Sequence, residues 1–244
     1  MNAHDASADG PCEVIPVIDL MGGLVVHARR GDRAHYRPIR SSLCDSARVE
    51  DVVPALLGLH RFARLYIADV DALLGRAPQW SAIDAVRRIA PSLSLWIDAG
   101  IRNRRDLTAI AERGTPVLAS ESLTAQAAGQ LLAACPHAVL SVDYRGERLL
   151  GEPALLERLP RWPSEVIAMD LARVGSGQGP DLKHIATLRR LAPRSRLYAA
   201  GGVRNALDLL RCREAGAAGV LVASALHDGR IKPSDLAATL KGHG

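Results

Sequence analysis

The sequence predicts an α/β fold, a single (β/α)8 barrel built from two similar halves. Three observations predict it. Eight short apolar runs recur along the 244 residues, each followed by an amphipathic stretch. Runs that are apolar on both faces mark buried parallel strands, and their alternation with helical patterns marks βα units. One segment also occurs twice. Gly100, Arg102, Asn103, Asp106, Leu107, Glu112 and Gly114 recur at constant offset as Gly202, Arg204, Asn205, Asp208, Leu209, Glu214 and Gly216. Ala119-Ser120 then recurs as Ala223-Ser224 after a short insertion. Self-similarity of this kind marks a fold made of repeated units. Finally, the chain length suits one barrel, and one Phe, three Trp and four Tyr leave Ala, Val, Leu and Ile to fill the interior.

Taken in order, the expected strands are 14–18, 65–68, 93–97, 116–119, 138–142, 165–169, 197–200 and 219–223. The expected helices are 47–60, 79–90, 103–113, 124–134, 153–159, 181–192, 205–215 and 234–241. Asn103, Thr124, Asp181 and Asn205 carry the short acceptor side chains that cap helix N-termini. Gly114 and Gly216 are natural helix stops. Residues 1–12 read as a disordered arm and 13–244 as the barrel domain. The long connection 20–47 includes one expected hairpin arm, 24–28. Its Arg29, Arg30, Arg33, Arg37 and Arg40 belong on the ligand side of such a barrel.

A net charge of +5 favours anionic ligands, but Lys and Arg are scattered with no aromatic-interleaved stripe, so no nucleic-acid partner is expected. No apolar run approaches the ~20 residues of a membrane span. The polar start, MNAHDASADGPCE, lacks the regions of a signal peptide. Cys12, Cys44, Cys135 and Cys212 form no CxxC pair and lie in no His cluster. Free thiols, a cytoplasmic setting, no metal and no cofactor are the expectation. The oligomeric state is left open.

In a (β/α)8 barrel the reacting side chains come from the C-terminal strand ends. Those ends carry Asp19, Asp69, Asp98, Asp143 and Asp170. Carboxylates are costly to bury unpaired, which makes five on one rim hard to explain as packing alone. Asp19 and Asp143 occupy equivalent places in the two halves: each ends a strand, and a Gly follows three residues later. Such a pair, with pKa values pushed apart, serves as general acid and base. Asp98, Asp170 and Asp69 are the auxiliary carboxylates, any one of which could instead be a helix cap or a partner of Arg102 or Arg204. Gly201 and Gly202 with Ala223 and Ser224 form an expected phosphate cup, since glycines let backbone N–H groups approach an anion at a helix start. Gly100, Ala119 and Ser120 form the equivalent cup of the first half. The ligand class is a phosphorylated small molecule.

These residues resemble the histidine-biosynthesis barrels, a ribulose-phosphate-binding family. The likeness lies in Val14-Ile-Pro-Val-Ile-Asp-Leu, Gly31-Asp32, Leu65-Tyr-Ile-Ala-Asp-Val-Asp-Ala, Gly100-Ile-Arg, Asp143 with Gly146, Gly179-Pro180-Asp181, Ala200-Gly-Gly-Val and Val222-Ala-Ser-Ala-Leu. It runs over residues 13–240 and is greatest for phosphoribosylformimino-AICAR ribotide isomerases, with the cyclase of imidazole glycerol phosphate synthase as their relative. The resemblance implies an Amadori rearrangement of an aminoaldose to an aminoketose on a substrate phosphorylated at both ends. It also implies that Asp19 is the general base and that Asp143 lines the site.

The departures from the family pattern are specific. Val174 stands where the isomerases have their acid. Asp98-Ala99-Gly100 replaces a glycine triplet, Ala119 and Ala223 replace cup glycines, Glu152 follows Gly151 in place of Trp, and His27 replaces an Arg. The stretch Tyr36-Arg-Pro-Ile-Arg-Ser-Ser-Leu-Cys is similar to a divergent group of methanogens and methylotrophs. That likeness implies a diverged isomerase- or lyase-type enzyme of one-carbon coenzyme metabolism. The ordinary isomerase, with another residue supplying the acid, and a non-catalytic phosphate-ligand-binding barrel are the alternatives.

Overall fold

The computed structural model describes residues 12–159 and 161–240. The expectations for residues 1–11 and 241–244 lie outside these. Cys12, placed in the arm by the sequence reading, is fully buried at the head of the first strand.

The chain opens with β1 (Glu13–Met21), β2 (Leu24–His27) and β3 (Arg37–Pro38), then α1 (Val49–Leu57). Next come β4 (Arg64–Asp69), the short α2 (Val70–Leu73), α3 (Trp80–Ile89), β5 (Ser94–Asp98), α4 (Arg104–Ala111) and β6 (Thr115–Ala119). The second half holds α5 (Ala125–Ala134), β7 (Val139–Arg145), β8 (Arg148–Leu149), α6 (Ala154–Arg158) and β9 (Glu165–Asp170). It ends with α7 (Leu182–Leu191), β10 (Arg196–Ala200), α8 (Ala206–Glu214), β11 (Gly219–Val222), the single turn α9 (Ser224–His227) and α10 (Pro233–Leu240).

Eight of these strands are parallel neighbours in the order β1-β4-β5-β6-β7-β9-β10-β11, and β11 pairs back onto β1. The sheet is a closed (β/α)8 barrel. All eight expected strands are present to within a few residues. The four expected caps form, Asn103, Thr124, Asp181 and Asn205 each accepting a backbone N–H of the first helical turn.

Apolar side chains divide into two layers. Val, Leu, Ile and Ala from alternate strand positions meet the helices in one continuous shell. The lumen is different: Tyr66, Trp96 and Tyr198 fill it with Ile15, Val117, Val139, Ile167 and Leu221. The expectation that Ala, Val, Leu and Ile fill the interior therefore holds for the outer shell, while three large rings join them in the lumen. A few large rings fill a narrow axial space at the packing density of an interior. Trp96 and Tyr198 meet edge to face at 4.8 Å, and the Arg64 guanidinium lies 5.0 Å over Trp96 at the N-terminal end.

The long connection folds as a hairpin. Strand β2 pairs antiparallel with β1, and β3 with β2, so residues 28–36 form an arch beside the C-terminal mouth. The Arg30 amide donates to the Val174 carbonyl at 2.8 Å, and Gly175 lies against the Ala28 carbonyl. The arch is thus docked on the loop after β9. Strands β7 and β8 make the matching hairpin on the opposite side.

Candidate active site

One cavity opens at the C-terminal strand ends. Asp19 of β1, Asp98 of β5 and Asp143 of β7 line it, with Glu121 from the turn after β6 and Arg33 and Tyr36 from the arch. The opposite wall holds Val174, Gly201, Gly202, Ala223, Ser224 and Arg230.

The three Asp side chains sit in different surroundings. Asp19 accepts no hydrogen bond among the described residues and faces the cavity. Burial raises its pKa to about 7; Arg33 opposes this and Asp98 adds to it. Asp143 accepts the Ser141 hydroxyl at 2.6 Å and the Glu121 amide at 3.2 Å. Burial nevertheless raises its pKa to about 7, with Ser141 opposing and Glu121 and Asp98 reinforcing. Asp98 accepts the Tyr66 hydroxyl at 3.1 Å and the Gly100 amide at 3.3 Å. Burial, and then the Glu121 charge, raise it to about 6. The sequence reading wanted Asp19 and Asp143 with values pushed apart. Instead burial raises both to about 7, and the Asp98 charge adds to each.

Asp69 and Asp170 are placed elsewhere. Asp69 is fully buried, caps α2 through the Ala72 amide at 3.1 Å, and accepts the Gln79 amide at 2.6 Å. Asp170 accepts the Gly146 and Ala172 amides at 3.2 and 3.0 Å and pairs with Arg173 at 3.2 Å. Neither lines the cavity. Both are saturated by backbone donors that fix loops, which corrects their assignment as auxiliary acids.

The two expected cups differ in kind. In the second, Gly201 and Gly202 have φ of 105° and 85°, conformations that disfavour any side chain. A β-carbon on Gly201 would come within 2.5 Å of the Asp170 carbonyl, and one on Gly202 would strike the Gly179 carbonyl. All four cup residues face the cavity, and His27 Nε2 lies 3.0 Å from Ser224 Oγ. In the first half, Gly100, Ala119 and Ser120 stand off the cavity. Ser120 is buried, its oxygen 2.9 Å from the Leu150 carbonyl and 3.2 Å from Asp143 Oδ2. Gly151 packs directly on the Ser120 carbonyl. Carboxylates of Asp98 and Glu121 occupy the wall where that cup was expected. The first-half cup is therefore corrected to a closed, acidic surface.

Arg33 is the one arch arginine that lines the cavity, paired with Glu121; Arg29, Arg30, Arg37 and Arg40 are exposed. Sequence reasoning missed Tyr36, Tyr66, Glu121 and Arg230 as cavity residues. Glu121 directly follows the Ala119-Ser120 motif, and Tyr36 opens the unusual arch stretch, so each had a local signal. Tyr66 and Arg230 had none. The one cluster of metal-ligating side chains among the described residues is Asp170, Asp181 and His184. Arg173 already bridges its two carboxylates, and His184 Nε2 lies 2.9 Å from the Gly146 carbonyl, so its donor set does not suit a cation.

Fold and site define a (β/α)8 barrel with a carboxylate-lined cavity at its C-terminal mouth. The model of the histidine biosynthesis protein family matches residues 13–232, and the chain belongs to that family. An uncharacterized protein of Methanocaldococcus jannaschii is 29% identical over 227 residues, covering 89% of this chain and 94% of its own. Two relatives are named 1-(5-phosphoribosyl)-5-((5-phosphoribosylamino)methylideneamino) imidazole-4-carboxamide isomerase. The one from Cenarchaeum symbiosum is 28% identical, covering 90% of this chain and 96% of its own. The one from Anaeromyxobacter dehalogenans is also 28% identical, covering 93% and 98%. No helix among the described residues is long and apolar enough to cross a membrane.

Proposed function

We propose that this chain is a diverged enzyme of the family, acting on a phosphorylated small molecule by isomerase-type or related lyase-type acid/base chemistry. One observation carries the reading. A carboxylate poised near neutrality, Asp19, shares a cavity with the Gly201-Gly202 turn and Ala223-Ser224. The turn would hold the phosphate through backbone N–H groups, with His27 and Arg230 beside it. Asp19 would act as the base, since a base works best with a pKa near the operating pH. Asp143, which lines the same cavity, would take part in proton transfer.

The divergence is argued from the other half of the cavity. Asp98 and Glu121 repel a second phosphate where a substrate phosphorylated at both ends would place one. Val174 faces the cavity without an exchangeable proton. The setting in one-carbon coenzyme metabolism rests on the sequence resemblance and on no residue of the cavity.

The relatives named as isomerases favour a second reading, the ordinary isomerase of histidine biosynthesis. Complementation of a histidine auxotroph lacking that isomerase separates the two. Absence of growth, with the protein folded and expressed, is expected; growth would refute the divergence. Inorganic phosphate that fails to bind the purified protein, or binds unchanged after Ser224→Ala, would remove the phosphate cup from both.

A further inference from the structure

The cavity has a base in Asp19 but Val174 in place of the acid that the resemblance requires. The arch supplies a candidate. Tyr36 is 8% exposed and lines the cavity. Its ring packs with Val26, Ala28 and Val70 in a small apolar cluster against which Val174 also lies. No protein group hydrogen-bonds the Tyr36 hydroxyl among the described residues; only its backbone carbonyl is engaged, by Arg37. Asp19, Arg33, Glu121 and Asp32 are the charged groups around it. A buried hydroxyl normally finds a partner. One that faces a ligand cavity without a protein partner has its donor free for the ligand.

We propose that Tyr36 is the proton donor of this cavity, the catalytic residue that takes over the place of the acid missing at Val174. The assignment rests on the isomerase-type reading above. Burial and then the Asp19 charge raise the Tyr36 pKa, so the hydroxyl enters the reaction protonated and able to donate.

The steps balance for an aminoaldose phosphate. Tyr36 gives its proton to the sugar ring oxygen as the bond from that oxygen to C1 breaks, and the nitrogen lone pair forms an iminium at C1. Asp19 removes the proton from C2. The C–H electron pair becomes the C1–C2 double bond, and the iminium pair returns to nitrogen. Protonated Asp19 then delivers its proton to C1 while the C2 hydroxyl returns one to the Tyr36 oxygen, leaving a ketone at C2. Both side chains end as they began, and no oxidant or reductant is needed.

The test compares wild type with Tyr36→Phe, which keeps the ring and removes only the hydroxyl. Two probes are titrated calorimetrically: inorganic phosphate, and 5-phospho-arabinonohydroxamate, whose hydroxamate mimics the planar intermediate and accepts a hydrogen bond. Tyr36→Phe is expected to bind phosphate within about twofold of wild type and the hydroxamate at least tenfold more weakly, a loss of about 1.4 kcal/mol or more. Equal hydroxamate affinity in the two proteins overturns the role of Tyr36 while leaving the phosphate reading standing. A wild type that binds neither probe overturns that reading and this assignment with it. Where turnover of the relatives' named substrate is measurable, Tyr36→Phe is expected to lose at least a hundredfold in kcat. Val174→Asp added to Tyr36→Phe is expected to restore part of it. A purely structural role for Tyr36 gives no such rescue.

Discussion

Ser120 and Asp143 hold each other from both ends: the Asp143 amide donates to Ser120 Oγ at 2.8 Å, and that oxygen lies 3.2 Å from Asp143 Oδ2. The serine that occupies a phosphate-cup position in sequence is therefore spent on a carboxylate. Ser120→Ala leaves the buried Asp143 amide without a partner, at a cost of about 1–3 kcal/mol. Urea denaturation is expected to show that loss, while the affinity for inorganic phosphate stays within about twofold.

Gly202 gives the opposite expectation. Its φ of 85° and its contact with the Gly179 carbonyl leave no room for a methyl group. Gly202→Ala should displace the turn, lowering stability by about 1–3 kcal/mol and phosphate affinity at least tenfold. Retained phosphate affinity in a folded variant would move the anion site elsewhere.

Asp19 and Asp69 should separate chemistry from architecture. Among the described residues the Asp19 side chain accepts no hydrogen bond, so Asp19→Asn removes a costly buried charge without breaking one. It is expected to abolish turnover by about a thousandfold while keeping or raising stability. Asp69→Ala breaks the α2 cap and the Gln79 contacts, costing about 2–4 kcal/mol with phosphate affinity unchanged. Chemical denaturation of both variants beside phosphate titration checks the contrast.

The raised carboxylates also set a pH dependence of stability. Asp19, Asp143 and Asp98 bind protons more tightly folded than unfolded. Between the ordinary carboxylate range near 4 and their folded values of about 7, 7 and 6, the native state therefore holds more protons than the unfolded one. Stability contributed by these groups is fully present below the lower limit and is lost as pH rises through the window. Asp19→Asn should flatten this slope and show its largest relative stabilisation near pH 8, read from denaturation midpoints at pH 5 and 8.

Arg33 tunes the same group. Its guanidinium pairs with Glu121 and opposes the upward shifts of Asp19 and Asp98. Arg33→Met removes that cation, so the Asp19 pKa should rise further and the ascending limb of any pH–activity profile should move to higher pH. Carboxyl 13C shifts of Asp19 followed through a titration give the same reading without turnover. An unmoved value would show that Arg33 acts only on Glu121.

Much of this was legible in the chain. Strand ends, caps and the Gly201-Gly202 turn depend on local periodicity and on backbone conformations open to few residues. Asp19 and Asp143 were found because barrel topology puts strand ends at one mouth. Asp69 and Asp170 looked the same by that criterion. A strand-end carboxylate that faces the cavity differs from one turned into loop amides only by the course of the following loop, which the strand pattern does not encode. The lumen rings escaped for a similar reason, since composition counts aromatics without saying that Tyr66, Trp96 and Tyr198 converge on one axis.

By itself the sequence determined a barrel of eight βα units, its family, and the inequality of its two halves, because periodicity and turn residues act over a few positions. Only the tertiary structure decided what those halves present to a ligand. It brought Gly151 onto Ser120, Glu121 beside Asp98, and the arch with Arg33 and Tyr36 over Asp19. Such contacts join residues far apart in the chain, and close packing fixes them only once the barrel has shut.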